Sequence, residues 1–141
     1  MEIEPFRIDD YDQLMALWTS TGLPHDREGR DSRAFLERQI FDDHIAIFVL
    51  RHQERIIGSV VASSDGRKGW INRLAIEPEF RGRRLAARLL EAAEKFLEDS
   101  GVRVIAALIE EENTPSMAAF RNCGYEPWPK IVYFRKLLKT K

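Results

Sequence analysis

Residues 69–96, GWINRLAIEPEFRGRRLAARLLEAAEKF, decide the fold. The first ten are apolar and β-branched, interrupted by Asn72 and Arg73 and stopped near Pro78, which reads as a strand over 69–78. Farther on, Leu85, Leu89, Leu90, Ala93, Phe96 and Leu97 fall on one face at helical spacing, and Ser100-Gly101 supplies a stop, which predicts a helix over 85–97. Between strand and helix, Arg81, Arg83, Arg84 and Arg88 crowd the helix start. Aligned peptide dipoles leave about half a positive charge there, so each cation costs roughly 0.3–1 kcal/mol unless an anion lies opposite. A local rule broken in one place points to function, and the N–H groups of a helix start suit phosphate. Residues 81–88 are therefore read as a docking site for a phosphate-bearing ligand.

Upstream, HIAIFVL (44–50) and RIIGSVVA (55–62) read as antiparallel strands joined by a turn at RHQE, and SSDGRKG carries the Asp65-Gly66 turn signal that leads into residue 69. Residues 3–8, with Ile3, Phe6 and Ile8, make a short strand, and Asp9 or Asp10 caps a helix with Leu14, Leu17 and Trp18 on its apolar face. Gly22, Leu23 and Pro24 end that helix. The charged GLPHDREGRD reads as a loop, after which Asp31 caps a second helix carrying Phe35, Leu36, Ile40 and Phe41. Downstream, the continuous apolar run VRVIAALI (102–109) predicts a strand covered on both faces and parallel to its neighbour through the helical crossover. Asn113 or Thr114 caps a last helix to about Cys123, with Pro115 in its first turn and Gly124 past its end, and IVYFRKLL (131–138) closes the sheet. The order strand, two helices, three strands, helix, strand, helix, strand makes an α/β or α+β domain with a mixed sheet.

A chain of 141 residues holds one core, so residues 1–141 are read as a single domain. Lys and Arg number 22 against 23 Asp and Glu, so at a net charge of −1 no global field draws the protein to nucleic acid or membrane, and the arginine cluster is local. The lone Cys123 cannot form an internal disulfide and reads as a small buried apolar residue rather than a nucleophile. The start MEIEPFRIDDYD has no basic region followed by an apolar one, and no segment approaches the roughly 18 apolar residues of a membrane helix. A cytoplasmic protein is expected, with disorder confined to Lys139–Lys141. No His, Cys and Asp cluster has ligand spacing, so no metal is expected.

On these residues the chain resembles the GNAT superfamily of acetyl-CoA-dependent N-acetyltransferases, whose element order is the one just read. The family signature R/Q-x-x-G-x-G/A at a helix start is met by Arg81, Gly82, Arg83, Arg84, Leu85 and Ala86, and a second pattern by Asn113, Ser116, Gly124 and Tyr125. The segment GWINRLAIEPEFRG looks most like small bacterial and archaeal members of unassigned substrate. The resemblance implies a mostly antiparallel central sheet flanked by about four helices, and transfer of acetyl from acetyl-CoA directly to a primary amine of a small molecule, protein or peptide. It implies that residues 81–86 hold the diphosphate and that Asn113 and Ser116 reach the pantetheine arm. The main chain of Leu74, Ala75 and Ile76 would pair with that arm and aim an N–H at the thioester oxygen.

Two residues depart from the family pattern. Arg84 stands where a central glycine is usual, and helical dihedrals there would keep its N–H on the phosphate. Phe120 stands where many members carry a tyrosine thought to protonate the leaving thiolate. A positioned acid contributes about 10²–10⁴-fold, whereas holding two reactants together supplies roughly 7–11 kcal/mol, so loss of the acid slows transfer rather than ending it. The alternative is an acyl-CoA-binding protein with weak or no turnover. Tyr133 is a substitute donor or a packed aromatic of the last strand.

An alkyl amine with a pKa of about 10.4 must lose a proton before it attacks. Glu110 and Glu111 are the carboxylates nearest the site, with surface solvation as the plainer account of each, and His25 and Asp26 in the helix–helix loop come next. His44 and His52 read as structural or exposed. Asn72 and Arg73 point to opposite sheet faces by strict alternation, so one of them lines the acceptor pocket or is a polar residue satisfied at a sheet face. A homodimer through the last strand is compatible with the sequence.

Overall fold

In the computed structural model, which describes residues 1–138, four strands lie side by side in antiparallel order: β1 (Glu2–Pro5), β2 (Ile45–His52), β3 (Arg55–Ser64) and β4 (Gly69–Ile76). A fifth, β5 (Ile105–Ala107), joins β4 in parallel, and helix α3 (Leu85–Asp99) makes the crossover that a parallel pair requires. The sheet is covered on both faces. Helix α1 (Tyr11–Ser20) and helix α2 (Arg33–Gln39) bury Leu14, Met15, Trp18 and Leu36 against Ile47, Val49 and Ile56. On the other face α3 and helix α4 (Thr114–Asn122) bury Leu85, Leu89, Leu90, Leu97 and Phe120 against Leu50, Ile57 and Val60. Each such side chain contributes about 1.5–3 kcal/mol on leaving water, so the two faces are the main source of stability. A Cβ added at Gly69 would lie 2.9 Å from Leu97 Cδ1, so glycine there lets α3 settle on the sheet.

The mixed, mostly antiparallel sheet and the helix order agree with the expected fold class. The hairpin at RHQE forms although it lacks Asn-Gly or Asp-Gly: Gln53 and Glu54 take positive φ of 51° and 69°, which matches the twist of the flanking strands. Gln13 of α1 steadies the turn, its Oε1 accepting from Ile56 N–H at 2.9 Å. β1 ends at Pro5 rather than residue 8, and Ile8–Asp10 is a 3₁₀ turn leading into α1. The cap of α2 is Ser32, whose Oγ accepts from Phe35 N–H, and not Asp31, whose carboxylate is drawn elsewhere. At α4 the cap is Asn113, accepting from Ser116 N–H at 3.2 Å.

Two expectations fail at the C-terminal edge. Of the run 102–109 only Ile105–Ala107 becomes strand, and Val104 and Leu108 are exposed, so the run is not covered on both faces. Segment 131–138 is not a strand, and Ile131, Val132, Tyr133 and Phe134 are exposed. The physical reason is shared: β4 offers β5 a partner only at Gly69, Trp70 and Ile71, and beyond that point no ladder is present to extend. The tail Lys139–Lys141 lies outside the described residues.

The release of β4 comes from a bulge. Val61 of β3 pairs with Asn72 and Ser59 pairs with Ala75, so β4 spends one residue more than β3 over this stretch. Arg73 takes it up with a left-handed φ of 56°. Ser59, fully buried in an otherwise apolar strand, locks the bulge: its hydroxyl donates to Arg73 O at 2.8 Å and accepts from Trp18 Nε1 at 3.0 Å.

Candidate functional site

At the C-terminal end of β4 the chain makes a 3₁₀ turn (Pro78–Phe80), passes Arg81–Arg84 and enters α3. Gly82 has φ of 81° and Arg84 φ of 61°, so two left-handed residues frame Arg83 just before the helix. Right-handed helical dihedrals at Arg84, the condition for keeping its N–H on a phosphate, are therefore not met. Arg84 is the N-cap, and because its side chain makes no capping bond, the first-turn N–H groups of α3 receive no help from it. No acid lies in that first turn. Among the described residues none of Arg81, Arg83, Arg84 and Arg88 is ion-paired. Arg81 Nε instead donates to Ile76 O at 3.0 Å, Arg83 lies over the Phe80 ring, and Arg88 donates to Met1 O. Cation excess and unserved N–H groups coincide, which is the arrangement that suits phosphate.

A left-handed arginine costs about 1–2 kcal/mol, while glycine loses roughly 0.5–1 kcal/mol in chain entropy. Arg84→Gly is therefore expected to raise stability by up to about 1 kcal/mol in denaturant unfolding. The same change should weaken coenzyme A binding about 10- to 100-fold in calorimetry, because one charge-assisted contact worth roughly 1.5–3 kcal/mol is lost.

A cleft of about 910 Å³ runs between α1, α2, the strands β2 to β4, the segment after β5 and α4, and none of Arg81–Arg84 lines it. Leu74, Asn113, Ser116 and Phe120 border it, as do Asn72, Arg73, Glu110 and Tyr133. Leu74, Ala75 and Ile76 are buried, and their strand pairs with β3 on one side only. Ser116 Oγ lies 3.5 Å from Leu74 O. Leu85 is buried and Ala86 half-buried on the core face of α3, so of residues 81–86 only the first four present side chains or backbone freely to solvent.

Strict alternation predicted opposite directions for Asn72 and Arg73, yet both border the cleft, because the bulge resets the pleat between them. Phe120 is buried and meets Tyr125 edge to face at 5.0 Å. Tyr125 in turn donates to Glu94 at 2.6 Å, and burial together with that carboxylate pushes its phenol well above the ordinary range, so it stays neutral. Burial likewise raises the Cys123 thiol, in keeping with a packed apolar residue. Glu111 is exposed and is not on the cleft. His25 is held by Leu23 O at 2.7 Å and Asp26 turns back to Asp31, so both are occupied within their own loop. Tyr133 borders the cleft although it stands in no strand.

Sequence reasoning missed Asp31. It is 5% exposed, and its Oδ2 accepts from Arg73 Nη2 at 2.8 Å and from Asp26 N–H at 2.8 Å. Tyr11 donates to its carbonyl at 2.8 Å. Nothing local distinguishes Asp31 from a helix cap. The only hint in the neighbourhood is Ser59, a polar residue inside an apolar strand, which marks the place where β4 bulges.

The comparisons with known proteins give the class to which this fold and cleft belong. The sequence model described as "Acetyltransferase (GNAT) family" matches residues 11–125. An acetyltransferase of Pectobacterium atrosepticum is 30% identical over 141 residues, covering 100% of this chain and 99% of the relative. The chain belongs to the GNAT acetyltransferase family and is an acyl-CoA-dependent N-acetyltransferase. Among solved structures it is similar to the aminoglycoside 6′-N-acetyltransferase AAC(6′)-Ig of Acinetobacter haemolyticus, with TM-score 0.80 and 20% identity over 99% of this chain and 100% of that one. It is also similar to the PaiA N-acetyltransferase of Thermoplasma acidophilum in complex with coenzyme A, with TM-score 0.76 and 20% identity over 89% of each chain. At these identities the likeness is one of fold. Among the described residues no helix is long and apolar enough to cross a membrane, and no group of three His, Cys, Asp or Glu is placed to hold a metal ion.

Proposed function

We propose that this chain moves an acetyl group from acetyl-CoA directly to a primary amine of a small molecule or peptide, in the cytoplasm, with residues 1–141 acting as one domain. The observation that supports it most is the junction of two features: the edge of β4 beyond Ile71 is released from β5, and the arginine-rich loop at Arg81–Arg84 opens α3 beside that edge. In this proposal the main chain of Leu74, Ala75 and Ile76 receives the pantetheine arm. An N–H of that strand stabilises the oxygen that gains charge as the amine attacks, in a site where fixed dipoles need no reorganisation. Gly82, whose added Cβ would meet nothing within 4 Å, Arg81, Arg83 and Arg84 hold the diphosphate, with Leu85 and Ala86 fixing the helix behind them. Asn113 and Ser116 border the arm from α4. A neighbour in fold carries coenzyme A and another is an aminoglycoside N-acetyltransferase, which supports the same carrier and amine chemistry here.

The acceptor's proton passes to Glu110, the carboxylate on the cleft that Arg73 does not already engage. Asn72 orients the acceptor from β4. Phe120 has no proton to give, so the leaving thiolate departs unassisted or takes a proton from Tyr133. A thiol pKa of about 8.5 makes either exit workable. Approach and orientation then supply most of the acceleration. A homodimer that covers the exposed side chains of 131–138 belongs to the same proposal.

Thiol release from acetyl-CoA, followed over a panel of amines and peptide N-termini, tests this reading. Turnover with at least one primary amine is expected, and Arg81→Ala with Arg83→Ala should reduce kcat/KM for acetyl-CoA by about 10²-fold, two charge-assisted contacts being lost. Activity that survives the double substitution undiminished would place the carrier elsewhere.

A further inference from the structure

Arg73 is held in an unusual way. Its Nη2 donates to Asp31 at 2.8 Å, its guanidinium lies 5.2 Å from the centre of the Trp18 ring, and its carbonyl is taken by Ser59. Its Nε–H is buried and has no partner among the described residues. A buried donor left unpaired is unfavourable, and guanidinium presents its N–H groups as a fork suited to a carboxylate. The ion pair with Asp31 and the ring of Trp18 hold the guanidinium in place at the border of the cleft, so the side chain is preorganised there.

The charges around it favour an anionic group. Five ionisable acid or arginine side chains border the cleft: Arg30, Arg73 and Arg135 against Asp31 and Glu110. Asp31 is consumed by Arg73, which leaves Arg30 and Arg135 facing Glu110 alone. A polycationic acceptor would meet net repulsion here, whereas a zwitterion would not. Trp18, Leu23, Ile45, Ile47 and Trp70 supply apolar wall next to the arginine.

Resting on the acetyl-transfer reading, we propose that Arg73 binds the carboxylate of the acceptor, and that the acceptor is an amino acid or a small molecule of amino-acid type. Arg73 is a specificity residue. The carboxylate is bound and not consumed: the acceptor nitrogen forms a bond to the acetyl carbonyl carbon, the carbon–sulfur bond breaks, its electron pair leaves on the sulfur of coenzyme A, and the nitrogen gives up one proton.

The experiment compares initial rates of thiol release from acetyl-CoA for matched acceptors: each free amino acid, its carboxamide, its decarboxylated amine, and kanamycin as a polycation. The protein and its Arg73→Lys and Arg73→Met variants are assayed in parallel, with coenzyme A binding measured by calorimetry. Lysine keeps a charge for Asp31 but lacks the Nε–H and the fork, so a well-folded variant remains available even where methionine destabilises the buried aspartate. Expected is a preference for at least one acid over its carboxamide of order 10- to 100-fold in kcat/KM, as one charged hydrogen bond gives, which falls to near unity in Arg73→Lys. Transfer to carboxamides, amines or kanamycin with no preference for the acid overturns the carboxylate assignment and leaves acetyl transfer standing. A preference that persists in Arg73→Lys overturns the role of Arg73. Coenzyme A binding without thiol release to any acceptor overturns this proposal and the transfer reading together.

Discussion

Reversing two charges at the start of α3, by Arg83→Glu together with Arg84→Glu, is expected to abolish measurable coenzyme A binding. Each arginine offers a charge-assisted contact worth roughly 1.5–3 kcal/mol, so their loss alone weakens binding by about 10²- to 10⁴-fold. The new carboxylates add repulsion against the same diphosphate, and they do so in a loop with no other acid in the first turn of the helix. Stability should change little or improve, since glutamate suits a helix N-terminus better than arginine does. Calorimetry with coenzyme A and thermal unfolding without it separate the two effects. Retained binding at unchanged affinity would mean that the diphosphate lies away from Arg81–Arg84.

Trp18→Ala is expected to be the most damaging single substitution in the core. Trp18 is 1% exposed and is the largest of the fully buried side chains. Truncating a buried tryptophan costs about 3–5 kcal/mol. Here it also orphans the Ser59 hydroxyl on its accepting side and removes the ring over which Arg73 lies. A drop in Tm of roughly 10–15 °C follows for a chain of this size. Acceptor selectivity should relax as well, because the fork of Arg73 loses one of its two supports. Trp18→Phe, which keeps the ring but not the indole N–H, should recover most of the stability and is the control that separates packing from the hydrogen bond to Ser59. An unfolding midpoint within about 3 °C of the parent for Trp18→Ala would show that the α1 face contributes far less than burial implies.

The three long strands and the helices are close to where periodicity puts them, and the C-terminal strands are not. The amphipathic run from Leu85 to Leu97 makes α3, and Asn113 with Pro115 starts α4. The arginine excess was legible because it violates a local electrostatic rule, and such a violation needs no partner to be seen. The left-handed φ of Arg84 was not legible because backbone dihedrals in a tight loop answer to both flanking elements, here β4 and α3, and not to the residue alone. Asp31 was hidden for a related reason. Its partner Arg73 is 42 residues away, and in sequence it looks like any acid before a helix.

From the amino-acid order alone came most of the element sequence, the resemblance to the family, the arginine-rich start of α3 and the balanced net charge, since each is a property of neighbours along the chain or of composition. The tertiary structure alone decided the bulge at Arg73, the joint exposure of Asn72 and Arg73 to one cleft, the short β5 and the unpaired segment 131–138. A bulge exists only as a mismatch between two paired strands, and the Ser59 hydroxyl that locks it reaches across 14 residues of chain. Contacts of that range arise when the sheet closes, so no window of sequence contains them.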